Sequence, residues 1–178
     1  MNNALFLDRD GTLVEDTHYL YKAEDIRILE GVPQALRLAL QKGYHLFLFT
    51  NQSGIARGYY TLQDAEACNT EIIRRLGLGP NPFTATCIAQ EAPWETTGYR
   101  KPSPKFIQEM IPAHNLSPLG CWMVGDNLCD LQAGKKANIH PVYLQCGKTL
   151  ADETHQYIQQ HAIPQYPTLL DFVQTLQP

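Results

Sequence analysis

No stretch of this 178-residue chain is apolar for long. Unbroken runs such as Ala4–Leu7 and Leu46–Phe49 reach four residues, against about 20 for a membrane-spanning helix. No membrane partner is therefore expected. Positive charge is also scarce: 14 Lys and Arg stand against 18 Asp and Glu, a formal net charge of -4. A chain so balanced lacks the basic face that nucleic-acid binding through counterion release requires. Any anionic ligand must be held by a local cluster of positive groups. The five cysteines, Cys68, Cys87, Cys121, Cys129 and Cys146, are scattered, odd in number and form no Cys-x-x-Cys pair. They describe no disulfide framework and fit a reducing compartment. Only seven residues precede Asp8, the first acidic residue, too few for the charged and apolar regions of a signal peptide. A cytoplasmic location is expected. There is no repeat, low-complexity tract or Pro/Gly/Ser linker, so residues 1–178 read as a single domain.

What is present is a buried core laid out in alternating elements. Hydrophobic residues make up 44% of the chain, and a domain of this length buries roughly 70% of its unfolded surface without needing a staple. Ala4-Leu5-Phe6-Leu7 and Tyr44–Thr50 read as strands buried on both faces. Between them, Val32, Ala35, Leu36, Ala39 and Leu40 recur at helical spacing, with Pro33 in the first turn and Gly43 past the end. Thr61 caps a helix to about Leu76, and Thr84–Ala89 is a third strand. Ser103-Pro104 opens another helix, with Ser as cap and Pro at the first helical position. Trp122-Met123-Val124 and Ile139–Leu144 are further strands, separated by a helix reaching about Ala137. Helices over 151–160 and 168–176 close the chain. Strands alternating with helices predict an α/β fold: a Rossmann-like three-layer α/β/α sandwich with a mainly parallel sheet. In such sheets ligands bind beyond the carboxyl ends of the strands.

Those ends carry the chemistry. The first strand runs into Asp8-Arg9-Asp10-Gly11-Thr12, the second into Thr50-Asn51-Gln52-Ser53-Gly54, and the fourth into Gly125-Asp126-Asn127-Leu128-Cys129-Asp130, while Arg100-Lys101-Pro102 stands before a helix. Each alone has a bland reading, as a turn or a helix start; together and in this order they point to phosphoryl transfer. Asp8, Asp10 and Asp126 converge on one volume, and two like charges 4 Å apart cost about 4 kcal/mol even at an effective dielectric near 20. A phosphate beside them implies a divalent cation, and an all-oxygen donor set favours Mg²⁺. Lys101 is the positive side chain that fits. Asp8 is then the nucleophile that forms an aspartyl-phosphate. Asp10 is the acid that protonates the leaving alcohol and the base that activates water. Thr50 and Asn51 with the amides that follow, and Lys101, hold the phosphate, while Asp130, one helical turn beyond Asp126, supports the metal from behind.

These four motifs resemble those of the haloacid dehalogenase (HAD) superfamily of aspartyl-phosphate phosphatases. The stretch Thr50-Asn51-Gln52-Ser53-Gly54-Ile55-Ala56-Arg57-Gly58, with Asp8-Arg9-Asp10-Gly11-Thr12 and Arg100-Lys101-Pro102, is similar to the D-glycero-D-manno-heptose 1,7-bisphosphate 7-phosphatases, whose near relatives are the histidinol-phosphate phosphatases. The resemblance implies an enzyme removing one phosphate from a sugar bisphosphate on the route to nucleotide-activated heptose for bacterial surface polysaccharide. It implies Mg²⁺ held by Asp8, the Asp10 carbonyl and Asp126, and substrate contacts from Asp16, Tyr19, Gln52, Ser53, Arg57, Arg100 and Asn127. A phosphorylated sugar is the expected partner, and a monomer is expected because no long exposed apolar helix face stands out. The alternatives are another phosphomonoester, such as histidinol phosphate, or a non-catalytic binding module.

The chain departs from that pattern in places. A Cys-x-His…Cys-x-Cys zinc loop is common in the family; the matching positions here are Cys87, Ala89, Thr97 and Tyr99. With three of four ligands gone a tetrahedral zinc site cannot form, so no zinc is expected, and the 90–99 loop is expected to rest on Pro93, Trp94 and Tyr99. Asn127 replaces a Lys usual after the metal-binding Asp, and His18 replaces a small residue. The intervals Asp8–Thr50 and Thr50–Lys101 leave no space for a large cap domain.

Overall fold

The computed structural model describes residues 2–95, 98–146 and 150–177. Strands and helices alternate from the start: β1 (Asn2–Leu7), α1 (Val32–Gln41), β2 (His45–Asn51), α2 (Leu62–Leu76), β3 (Ala85–Ala89), α3 (Lys105–Ala113), β4 (Leu116–Gly125), α4 (Leu128–Lys136), β5 (His140–Leu144), α5 (Asp152–His161), β6 (Gln165–Tyr166) and α6 (Leu169–Thr175). All the strands pair in parallel, in the order β3-β2-β1-β4-β5-β6. The order reverses beside β1, which leaves a crevice at the carboxyl ends there.

The two faces of the sheet follow from side-chain alternation along each strand. Leu5 and Leu7 of β1 and Leu46 and Leu48 of β2 point to one face. There they pack with Val32, Ala35, Leu36 and Ala39 of α1, Ile72 of α2 and Phe172 of α6. Ala4, Phe6, Phe47 and Phe49 point to the other face, against Phe106 and Ile107 of α3 and Ala133 of α4. Phe6 stacks on Phe47 at 4.7 Å and meets Phe106 edge-on at 6.0 Å. Burying each such ring is worth about 1.5–3 kcal/mol. This is the three-layer sandwich expected, with no large cap among the described residues.

Several boundaries differ from the sequence reading. Asp64, though shorter than Glu, completes the capping box with Thr61. Ser103 is not the cap of α3: the helix begins one residue later, after Pro104, and the Ser103 hydroxyl bonds back to the Gly98 carbonyl at 2.9 Å. β4 starts at Leu116 rather than Trp122, because Pro118 and Gly120 break the apolar pattern while the pairing with β1 continues through a register shift at Asn2–Ala4. The two-residue β6 went unread, being too short for any periodicity. None of the five cysteines is joined in a disulfide.

Candidate active site

Asp8 is the first residue past β1, and its amide continues the ladder onto the Val124 carbonyl of β4 at 3.0 Å. The chain then turns back: the amides of Thr12, Leu13 and Val14 all point at the Arg9 carbonyl, and Gly11 takes φ +78°, open to glycine at little cost. At the end of β4, Gly125 packs against the Asp130 carboxylate so closely that a Cβ would collide with it. A glycine there lets the first turn of α4 fold its acid onto the strand end.

Lys101 is 2% exposed. Its Nζ donates to Asp8 Oδ1 at 2.8 Å and to the Phe49 carbonyl at 2.7 Å, and pairs with Asp130 Oδ1 at 2.6 Å. Burial draws its pKa down, but the Asp130 and Asp8 charges outweigh that, and it stands above the ordinary lysine value. The ammonium is fixed in its charged form. Its backbone is fixed too: Asn51 accepts from the Lys101 amide at 2.9 Å and donates to the Lys101 carbonyl at 3.1 Å. Asn51, expected on phosphate, thus spends its amide on orienting the lysine.

Carboxylate oxygens of Asp8, Asp126 and Asp130 lie within 4.8 Å of one another, and all three residues are buried. The set is hard oxygen only, which suits Mg²⁺ rather than zinc or copper. Asp130 is engaged on both sides, by Lys101 and by the Asn127 amide at 3.0 Å, and so braces the cluster. Asp126 Oδ1 accepts from Asn127 Nδ2 at 2.7 Å.

The Asp10 carboxylate is not a member of that cluster. Arg9 Nε and Nη2 reach it at 3.0–3.2 Å, and Gln52 Nε2 donates to its Oδ2 at 2.8 Å. Burial pushes the Asp10 carboxyl above its usual range; Arg9 pulls it back and the Asp8 charge adds to the rise. Arg9 itself is fully buried, with Nη1 on Asn69 Oδ1 at 3.0 Å and Nη2 on the Leu20 carbonyl at 2.8 Å.

Asp8, Asp10, Asp16, Tyr19, Asn51, Gln52, Ser53, Arg100, Lys101 and Asn127 line one cavity of about 310 Å³, joined by His18, Tyr60 and Cys129. Three expected residues stand outside that lining: Asp126, held in the buried acidic cluster, Thr50 and Arg57. Thr50 is fully buried, its hydroxyl accepting from Gln52 Nε2 at 2.8 Å. Arg57 holds its guanidinium 5.1 Å over the Trp94 ring. Gln52 lines the cavity but is 2% exposed, its amide shared among Asp10, Thr50 and Tyr60. His18 and Tyr19 both take left-handed backbone, φ +54° and +57°, and the His18 amide bonds Asp16 Oδ1 at 3.1 Å. The partners of Asp10 were missed from sequence; an arginine wedged between two aspartates was the available signal.

The loop before Arg100 rests on other groups than those expected. Trp94 is 69% exposed and Pro93 is exposed as well. Instead the Glu91 carboxylate accepts from the Tyr99 amide at 2.7 Å, and Glu95 accepts from the Ala92 amide. Tyr99 is held, as expected, with its hydroxyl on Glu109 at 3.0 Å and Lys105 over its ring. Of the zinc-loop positions, Cys87 and Ala89 are buried in β3, and Thr97 lies outside the described residues.

Comparison with known proteins agrees with this geometry. Residues 98–171 match the family model described as HAD-hydrolase-like. The chain is 39% identical over 140 residues to D-glycero-beta-D-manno-heptose-1,7-bisphosphate 7-phosphatase of Helicobacter pylori, covering 78% of this chain and 80% of that protein. It is 31% identical over 174 residues to the enzyme of the same name from Neisseria meningitidis serogroup A, covering 96% and 92%. Among solved structures, D,D-heptose 1,7-bisphosphate phosphatase from B. bronchiseptica, complexed with magnesium and phosphate, superposes with a TM-score of 0.82 at 24% identity, covering 98% of this chain and 97% of that one. Sequence, sheet order and strand-end carboxylates agree: this chain belongs to the HAD-like hydrolases, among the phosphatases of the heptose-1,7-bisphosphate 7-phosphatase family.

Proposed function

We propose that this protein is a magnesium-dependent phosphatase that converts D-glycero-D-manno-heptose 1,7-bisphosphate to the 1-phosphate through an aspartyl-phosphate on Asp8. The observation that carries the reading is the buried Lys101 ammonium, 2.8 Å from Asp8 on the floor of an open cavity. One Asp8 oxygen is steered by Lys101 and the carboxylate faces the cavity, the arrangement of a nucleophile aimed at phosphorus. Asp8 and Asp126, with the Asp10 main-chain carbonyl, would hold the ion, whose chemistry is to neutralise charge on the transferring phosphoryl group.

The residues of the chain divide the work. An Asp8 oxygen bonds to phosphorus as the ester P–O bond breaks, and the Asp10 carboxyl gives its proton to the departing sugar oxygen. Asp10, now ionised, takes a proton from water, whose oxygen attacks phosphorus and returns Asp8 to the free carboxylate. A carboxyl raised by burial is suited to starting the cycle protonated. Lys101 keeps its charge throughout and stabilises the phosphoryl oxygens where negative charge gathers. Arg100, Asp16, Tyr19 and Ser53 line the outer cavity, where sugar hydroxyls and a second phosphate would lie.

The relatives' names support the heptose assignment over histidinol phosphate. The test is phosphate release from both anomers of the heptose bisphosphate, from hexose phosphates and from histidinol phosphate. The better heptose anomer should exceed the others by at least about 100-fold in kcat/KM. EDTA should stop turnover and Mg²⁺ restore it. Preference for histidinol phosphate would overturn the substrate, and full activity of Asp8→Asn would overturn the mechanism.

A further inference from the structure

Tyr60 lies outside the four motifs, yet its hydroxyl is two hydrogen bonds from Asp10. It donates to Gln52 Oε1 at 2.6 Å, and Gln52 Nε2 donates to Asp10 Oδ2 at 2.8 Å and to Thr50 Oγ1 at 2.8 Å. Direction matters in this chain. A carboxylate accepts, so Gln52 must present its NH₂ group to Asp10, which leaves Oε1 needing a donor. Tyr60 is the donor that selects this orientation of the amide. Burial pushes the Tyr60 hydroxyl up to about 12, so it holds its proton across the neutral range. The ring is locked as well: it stacks on Tyr21 at 5.1 Å and covers Gly54 so closely that a Cβ there would collide with it.

We propose that Tyr60, acting through Gln52, is a positioning residue for the Asp10 carboxyl, fixing which of its oxygens faces the leaving group. This rests on Asp10 being the acid of the reaction. Arg9 grips the carboxylate from the other side through nitrogens that reach both oxygens at 3.0–3.2 Å. A grip so nearly even leaves the two oxygens equivalent. Gln52 breaks the tie by adding a bond to Oδ2, so that Oδ1, held by Arg9 alone, is the oxygen left to carry the proton toward substrate. Without the Tyr60 donor the Gln52 amide can turn over, setting oxygen against oxygen and swinging the acid out of line.

The experiment measures kcat/KM across phosphate esters whose leaving groups run from 4-nitrophenol to simple alcohols, because this parameter reports the step in which the ester bond breaks. Asp10→Asn comes first and tests the underlying reading: its activity must fall off far more steeply than wild type as the leaving group becomes more basic. Tyr60→Phe should then steepen the dependence in the same sense, losing about 10-fold on alkyl phosphates, a fraction of the 10²–10⁴ that an acid supplies, and about 2-fold or less on 4-nitrophenyl phosphate. Added to Asp10→Asn, it should change nothing further. Gln52→Met, which breaks the next link, should reproduce the Tyr60→Phe profile, and serves alone should Tyr60→Phe not fold. If Asp10→Asn steepens the profile while Tyr60→Phe and Gln52→Met lower all esters equally, Tyr60 is merely structural and the proposal fails. If Asp10→Asn leaves the profile parallel to wild type, the acid assignment fails instead.

Discussion

Replacing Asp126 with Asn should make the metal-free protein more stable while destroying its activity. Its carboxylate lies within 4.8 Å of those of Asp8 and Asp130, all three buried. At that separation and an effective dielectric near 20, each pair repels by at least about 3.5 kcal/mol. The Lys101 ammonium is taken up by Asp8 and Asp130, so it offsets those charges first. Part of the strain is relieved because burial pushes the Asp130 carboxyl up, so that it takes up a proton more readily. A further part, about 1 kcal/mol, is lost when the Asn127 Nδ2 bond no longer meets a charged acceptor. The net gain expected is about 2 kcal/mol, which in a protein of this size raises Tm by about 4–8 °C. Thermal melts in EDTA measure it. In saturating Mg²⁺ the order should reverse: an ion at 100 times its Kd adds about 2.7 kcal/mol to wild type, and the variant gains little. An Asp126→Asn protein that melts below wild type in EDTA would refute the claim that these acids repel one another.

Other outcomes follow from the same geometry. Lys101→Met leaves Asp8 and Asp130 buried without their cation, and should cost about 3–5 kcal/mol in urea unfolding with EDTA present; a loss under about 1 kcal/mol would mean the ion pair is not buried. Gly54→Ala drives a methyl into the Tyr60 and Tyr19 rings and should cost about 1–3 kcal/mol, read by thermal melting; a change within about 0.5 kcal/mol would show that those rings yield freely. Metal analysis of the purified protein should find no stoichiometric zinc, and one tightly bound zinc per chain would overturn that expectation.

The sheet was legible wherever burial wrote itself into consecutive residues. Leu46-Phe47-Leu48-Phe49 declares a strand covered on both sides, and the acids at the ends of such runs marked the crevice. Pairing is harder to read than burial. Leu116–Gly120 joins β4 although Pro118 and Gly120 spoil its pattern, because the neighbouring β1 supplies the ladder. In the site, charge balance alone required a cation beside the acids, and Lys101 was the natural choice. What spacing could not reveal is whether a polar side chain faces ligand or protein. Thr50 and Asn51 read as phosphate holders, and Gln52 as a substrate contact. The structure instead directs the Asn51 amide to the Lys101 backbone and seals Thr50 under Gln52. Arg9 was invisible for the same reason: an arginine is expected in solvent unless something pays for its burial, and Asp10, Asn69 and Leu20, which do so, are brought together only by the fold.

The clasp made by Glu91 on the Tyr99 amide has a consequence for where this protein can work. A loop fastened by a coordinated ion depends on supply of that ion, and its thiolates are open to peroxide. A carboxylate on a main-chain N–H needs no delivery and has nothing to oxidise. The approach to Arg100 and Lys101 should therefore keep its shape through transition-metal starvation and oxidative bursts.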